Sequence, residues 1–155
     1  MNYIEGNMPH EDGCLFCNRL HSDADAEHLI LLRSDHTFLI LNRYPYNNGH
    51  LMVVPNAHQA SIEHLDPTTL SELMMLASLS VKLLRKVYGA DAFNMGMNIG
   101  EPAGAGVAEH VHLHILPRWA GDTNFMTPVR ETRVLPESLL ESRRRLSAVF
   151  GPLTP

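Results

Sequence analysis

The stretch "EHVHLHILPRW", Glu109 to Trp119, sets a histidine at every second position three times running and alternates them with aliphatic residues until Pro117. Successive side chains of a strand point to opposite faces, so a strand here puts His110, His112 and His114 on one face and Val111, Leu113 and Ile115 on the other. A helix would instead turn each histidine about 200° from the last and mix imidazoles with aliphatics. The alternation therefore predicts a strand whose aliphatic face meets a core. Same-face neighbours lie roughly 6–7 Å apart along a strand, so the outer two backbones are about 13 Å apart and the three rings have separate tasks. Three readings of the row stand at this level: an ordinary polar face, a metal site, or a nucleophile with supporting imidazoles. Gly100, Gly104 and Gly106 lie just before the row. Glycine lets backbone N–H groups wrap an anion, and a neutral imidazole beside such a nest is a nucleophile facing a phosphate.

Working outward, "HLILLRSDHTFLILNRYP" reads as two apolar runs near Leu29 to Arg33 and Thr37 to Asn42, joined by the turn-like "SDH" as a hairpin. "YNNGHLMVVP" supplies a turn at Asn47 to Gly49 and a third strand ending by Pro55. Asp66 and Pro67 cap a helix whose apolar row is Leu70, Leu73, Met74, Ala77, Val81 and Leu84, closed by Gly89. "AFNMGMNIG" fits a fourth strand and "HVHLHILP" a fifth, and a C-terminal helix covers about 136–149. Helices sit between groups of hairpin-linked strands, which predicts an antiparallel sheet in an α+β domain spanning 1–155, with its core at about 14–126. Pro152 and Pro155 mark a frayed tail.

A chain of 155 residues, 45% apolar and 19% charged, is the size and composition of one soluble globular domain. Its formal charge of −5 comes with no basic block, which argues against nucleic acid as a main partner. No apolar run reaches the roughly 18 residues needed to cross a bilayer, and the polar, acidic start "MNYIEGNMPHEDG" is unlike a signal peptide. The expected location is the cytoplasm, with no membrane partner.

The two cysteines, Cys14 and Cys17, stand three positions apart, so a metal or redox pair is at issue and not a disulfide framework. Redox use calls for a strand leading into a helix start, and nothing before Cys14 supplies one. Zinc suits the pair better and requires two further donors. His10, His21, His28, His36 and His64 fall in polar or turn-like surroundings and read as surface. The run Arg143 to Arg145 reads as a solvated helix face.

These residues together carry a resemblance. "HVHLHILP" matches the His-φ-His-φ-His-φ-φ signature, φ being apolar, of the histidine triad (HIT) superfamily of nucleotide hydrolases and transferases. "CLFC", "LILNRYPYNNGHLMVVPNAH" and "AGAGVAEHVHLHILPRWAGDTNFM" resemble its successive blocks from Cys14 to Met126. The last block is similar to the diadenosine-tetraphosphate phosphorylase/hydrolase-like branch. The resemblance implies a five-stranded antiparallel sheet, a homodimer, and attack of the middle histidine, His112, on the α-phosphorus of a nucleotide derivative to give a nucleotidyl-histidine intermediate. It implies that His114 assists the leaving group, that His110 belongs to the triad, and that His50 supports it from a neighbouring strand. It places Asn42 at the ribose hydroxyls, Asn98, Gly104 and Gly106 at the phosphate, and Phe16 at the base. Zinc-bearing relatives imply His58 and His110 as the partners of Cys14 and Cys17, a closed Cys2His2 site and hence a structural metal, with no catalytic cofactor.

One departure matters. Many members carry Gln and a hydroxyl residue before the triad, whereas "AGAGVAEH" is longer by one residue and has neither, leaving the backbone amides more of the phosphate contact. The expected substrates are dinucleoside polyphosphates such as diadenosine tetraphosphate. Alternatives are a nucleoside phosphoramidase, a purine-nucleotide sensor without turnover, or a metallohydrolase using the histidine row.

Overall fold

The two apolar runs pair as the turn between them predicts. In the computed structural model, which describes residues 12–122 and 137–150, β1 (Ile30–Arg33) and β2 (Thr37–Leu41) form an antiparallel hairpin whose turn is closed by Ser34 N–H donating to the Thr37 carbonyl at 2.9 Å. β3 (Leu51–Pro55), β4 (Ala92–Gly96) and β5 (Leu113–Arg118) complete a five-stranded antiparallel sheet in the order β1-β2-β3-β5-β4. β2 and β3 are buried at every residue, which is why their sequences are aliphatic on both faces and not alternating. β5 alternates buried and half-buried residues, and its register sets His114 opposite Met52 on one side and Gly96 on the other. The histidine-bearing strand thus lies between a buried neighbour and the exposed edge strand β4.

Two short helices precede the sheet, α1 (Leu15–Leu20) and α2 (Asp25–His28), joined to β1 through Leu29 in a left-handed conformation. The sequence reading contained neither helix. Cys14 is the residue before α1, and Phe16 from its first turn packs edge-on to Phe38 of β2, ring centroids 6.4 Å apart. The long helix α3 (Pro67–Tyr88) starts where the cap signals put it: the Asp66 carboxylate accepts from Thr69 N–H at 3.0 Å, Pro67 needs no donor, and Gly89 takes a positive φ of 60° to end it. α3 packs against β3 and β5 through Leu73, Leu76, Ala77, Ser80, Leu83 and Leu84.

That buried row differs from the expected one at Met74, which is 55% exposed. Thr69 and Ser80 occupy the stripe instead, because each hydroxyl finds a local acceptor: Thr69 the Asp66 carboxylate, and Ser80 the Leu76 carbonyl at 2.8 Å. A satisfied hydroxyl is cheap to bury, which hides the stripe from an apolar count. The C-terminal helix α4 (Leu139–Phe150) packs against α3 and β1. Its Arg145 is not a solvated residue: it pairs with Glu137, lies over the Tyr88 ring at 4.5 Å, and donates to the Val87 carbonyl at 2.6 Å. Only Arg144 of that run keeps to the surface, paired with Glu141. Met126, His10, Pro152 and Pro155 lie outside the described residues. No helix among the described residues is long and apolar enough to cross a membrane.

Gly49 holds the β2–β3 loop against the C-terminal end of α3. Its φ is +76°, and a Cβ there would meet Leu84 Cδ2 at 2.9 Å and the Tyr88 ring at 3.0 Å. Gly89 is also at positive φ but faces open space. Gly49→Ala is therefore expected to cost about 3 kcal/mol from strain plus overpacking, and Gly89→Ala about 1 kcal/mol from backbone strain alone. Urea unfolding of the two variants checks the difference; equal midpoints would contradict it.

Candidate active site and metal centre

The histidine row does not lie wholly on a strand. β5 begins at Leu113, and His110 to His112 lead into it as irregular chain, held where Val111 N–H donates to the Gln59 carbonyl at 2.7 Å. The aliphatic partners Val111, Leu113 and Ile115 are buried as expected. The three rings separate into three surroundings, which follows from their alternation with core residues.

Each ring is fixed on one side by a group of known polarity, so its proton can be placed. His110 Nε2 sits 2.9 Å from the Pro55 carbonyl, which can only accept. His110 therefore carries its proton on Nε2 and turns the Nδ1 lone pair toward Cys14 and Cys17, whose sulfurs are 3.3 and 3.7 Å away. His112 Nδ1 lies 2.9 Å from the His110 carbonyl, so His112 donates from Nδ1 and keeps a lone pair on Nε2. His50 Nδ1 accepts the Tyr46 backbone N–H at 3.2 Å. Its Nε2–H then donates to His114 Nδ1 at 3.0 Å, which leaves His114 with Nε2–H as a donor. Tyr46 stacks on His50 at 5.2 Å, and the Asn42 amide nitrogen lies 3.4 Å from His50 Nδ1.

Burial sets the charge state of the row. His110, His112 and His114 all have pKa values pushed below the ordinary range, chiefly because the charged ring would lose its hydration. For His114 the value falls to about 4, with His112 as the second cause. At neutral pH these are neutral imidazoles, His112 an available nucleophile and His114 a donor.

The cleft beside them opens to solvent, about 880 Å³ of space with its mouth included. Of the residues the sequence reading assigned to the site, His112, His114, Phe16, Asn42, Asn98, Gly104 and Gly106 line it, and so do Arg19, His28 and Tyr46. Phe16 lies 4.9 Å from the His112 ring, centroid to centroid. Asn98 reaches back to the Gly104 carbonyl at 3.3 Å and so ties down the glycine loop. Asn42 is 4% exposed and accepts the Tyr44 backbone N–H at 2.9 Å. His28, expected on the surface, is half-buried and bonded to Arg19 at 3.0 Å. Trp119 is absent from the lining, its indole N–H spent on the Tyr88 carbonyl at 3.1 Å.

Cys14, Cys17, His58 and His110 converge: their donor atoms all lie within 4.8 Å of one another, and Cys17 Sγ is 3.3 Å from His58 Nδ1. Tetrahedral zinc with bonds of about 2.0–2.3 Å needs its donors about 3.5 Å apart, so this set fits that ion. Burial and the neighbouring Cys14 push the Cys17 thiol upward in pKa, and a cation between the sulfurs is what converts such a pair to thiolates. The pair does begin a helix, contrary to expectation, and its sulfurs face imidazoles, Cys14 nearest to His110 and Cys17 nearest to His58.

A five-stranded antiparallel sheet with a histidine row, a supporting fourth histidine and a glycine loop defines a histidine triad protein. The HIT domain matches residues 23–121, and the chain belongs to that family. It is 40% identical over 128 residues to an AP-4-A phosphorylase of Mycobacterium tuberculosis, covering 83% of this chain and 66% of that one. The chain thus spans just under two-thirds of the length of that relative. A zinc-bound histidine triad family protein from Mycobacterium smegmatis is similar with a TM-score of 0.73 at 26% identity, covering 91% of this chain and 95% of that one. A hypothetical histidine triad nucleotide-binding protein from Sulfolobus tokodaii gives 0.70 at 27% identity, covering 90% and 93%. In this chain Cys14, Cys17, His58 and His110 form a candidate metal site by their own donor geometry.

Sequence reasoning missed Arg19, His28 and Tyr46. Arg19 follows Phe16 by three positions, the spacing that shares a helix face, but the signal is readable only once α1 is known.

Two measurements follow. Cys17→Ser should lower zinc content from about one per chain to well under half and lower Tm by about 10 °C, equivalent to about 3 kcal/mol for a chain of this size. Elemental analysis with a thermal melt tests this; an unchanged Tm would refute a structural role. The second concerns acid. In the unfolded chain His114 takes up a proton as pH falls through the ordinary 6.5, whereas in the fold it stays neutral to about 4. Its contribution is fully present above 6.5 and declines as pH falls. Wild-type stability should be lower at pH 5 than at pH 7.5 by about 1–2 kcal/mol from this group, a difference that His114→Asn should reduce and denaturant melts should reveal.

Proposed function

We propose that this chain is a nucleotide phosphorylase or hydrolase that cleaves dinucleoside polyphosphates, with diadenosine tetraphosphate as its representative substrate. The observation that carries the reading is the His112 tautomer: Nδ1–H is committed to the His110 carbonyl at 2.9 Å, so Nε2 is the nucleophilic atom of a neutral ring lining the cleft. His112 Nε2 attacks the α-phosphorus in line, forming a P–N bond as the bond from that phosphorus to the bridging oxygen breaks. From diadenosine tetraphosphate the departing group is ATP, and adenylate remains on His112. His114 Nε2–H donates to the bridging oxygen as charge develops there, with His50 holding its ring from behind. The loop through Gly104 to Gly106 receives the non-bridging oxygens, the Gly104 N–H itself being spent on the Glu101 carbonyl at 2.9 Å and Asn98 steadying the loop, and Asn42 meets the ribose hydroxyls.

Inorganic phosphate or water then attacks the same phosphorus from the side ATP has left, breaking the P–N bond and giving ADP or AMP. The similarity to the AP-4-A phosphorylase supports phosphate as the acceptor. Free thiols at a zinc site suit a reducing compartment, which supports the cytoplasm. The chain reads as one catalytic domain. Two copies are inferred to meet across β4, whose Ala92, Asn94, Met95 and Gly96 are exposed on an unpaired edge; a two-fold axis there lets one sheet continue into the next.

The test is product analysis with the protein sized in solution as a two-chain particle. Wild type given diadenosine tetraphosphate and phosphate should yield ATP plus ADP, and a rapid quench should trap labelled adenylate on protein. His112→Asn should fold and lose about 10⁴-fold in kcat. Full turnover in that variant would overturn the mechanism.

A further inference from the structure

The proposed reaction uses His50 to hold His114 but leaves open what keeps His50 itself in place beside an open cleft. His50 is 0% exposed and takes no part in the cleft wall, whereas Tyr46, four positions earlier in the loop from β2 to β3, does. The Tyr46 ring lies nearly parallel to the imidazole, 19° between planes and 5.2 Å between centroids. It therefore stands between His50 and the cleft. The backbone N–H of the same residue donates to His50 Nδ1 at 3.2 Å, so one residue grips the imidazole by an edge and by a face.

The loop that carries Tyr46 is itself fixed. Asn47 Nδ2 donates to the Pro117 carbonyl of β5 at 3.2 Å, and the Asn47 carbonyl accepts the His50 N–H at 3.2 Å. The stacked ring thus belongs to the same frame as the histidines it serves.

Edge and face do different things. The bond at Nδ1 assigns the His50 proton to Nε2, from which it reaches His114 Nδ1 at 3.0 Å. That bond survives only where water stays away, because water both donates and accepts and so accommodates either tautomer of His114. A His114 protonated on Nδ1 would turn a lone pair to the leaving oxygen where the chemistry needs a donor. An aromatic face excludes water and offers no competing polar atom, and its flat surface resists rotation of the imidazole about χ2.

We infer that Tyr46 is a positioning residue for the leaving-group donor: its ring, stacked on His50, keeps the His50 Nε2–H on His114 Nδ1 and thereby keeps His114 a donor at Nε2. The inference rests on the proposed function and deepens it at the same site.

Two readouts test it in wild type, Tyr46→Ala and Tyr46→Phe. The first compares kcat for the phenyl and 4-nitrophenyl esters of AMP, because a lost donor costs more when the leaving oxygen is more basic. Tyr46→Ala should lose roughly tenfold more on the phenyl ester than on the 4-nitrophenyl ester. The second is the nitrogen NMR signal of the His114 ring, which reads the tautomer without turnover. Wild type should show an unprotonated Nδ1 and a protonated Nε2, and Tyr46→Ala an average of the two tautomers. Tyr46→Phe, which keeps the face, should rescue both. Equal losses on the two esters overturn the inference, as do unchanged ring signals in Tyr46→Ala or a Tyr46→Phe protein that behaves like it. If Tyr46→Ala does not fold, Tyr46→Leu fills the space without a flat face, and equal losses in it are equally fatal. Failure of the proposed function is distinguishable: wild type then turns over neither ester, while the His114 signals still decide whether Tyr46 sets the tautomer.

Discussion

The His110 carbonyl is the atom on which the cleft depends. It accepts from His112 Nδ1 and thereby decides which nitrogen of His112 has a lone pair to offer. That carbonyl is held by its own residue: His110 is 0% exposed, bonded through Nε2 to Pro55 at the end of β3 and through Nδ1 to the cysteine sulfurs. A hydrogen bond between backbone and ring is worth about 1 kcal/mol in net stability. Its larger effect is to exclude the other tautomer, in which His112 would present a proton where chemistry needs an electron pair. The zinc site and the candidate nucleophile are thus mechanically one unit, sharing His110.

Placing several imidazoles in the interior is expensive in a way that serves the site. Desolvation lowers the pKa of the whole row, so the rings stay neutral and the cost is that of a polar group and not of a charge. Neutral rings then need one donor and one acceptor contact each. Backbone groups supply most of them, from Pro55, Tyr46 and His110. Backbone positions are set by the sheet, which makes the geometry stiffer than side-chain networks on loops. Burial and tautomer control are therefore the same arrangement seen from its energetic and its chemical side.

How much of this the sequence disclosed follows from what kind of signal each part carries. Strand alternation and the Asp66–Pro67 and Gly89 helix boundaries are local and period-driven, and they were legible. The set Cys14, Cys17, His58 and His110 was legible only through resemblance, since its members are up to 96 positions apart and no local period joins them. α1 and α2 are short enough that tertiary packing, not propensity, makes them helical. Met74 was misplaced because Ser80 and Thr69, with hydroxyls satisfied within the helix, could take the buried stripe. His28 looked like a surface residue because its neighbours in sequence are polar, whereas its neighbours in space are Arg19 and the cleft.

The division of the cleft between elements follows from the same distinction. Groups proposed to act at phosphorus sit on or beside β5, where pairing to β3 and β4 and the His110 anchor fix them to a common frame. The α1 wall of the cleft lies outside the sheet and meets it through Phe16, whose ring packs on His112, His110 and Phe38. Cys14 precedes α1 and Cys17 lies on it, so the helix faces His110 through its sulfurs, and Arg33 of β1 holds the Arg19 and Leu20 carbonyls at its end.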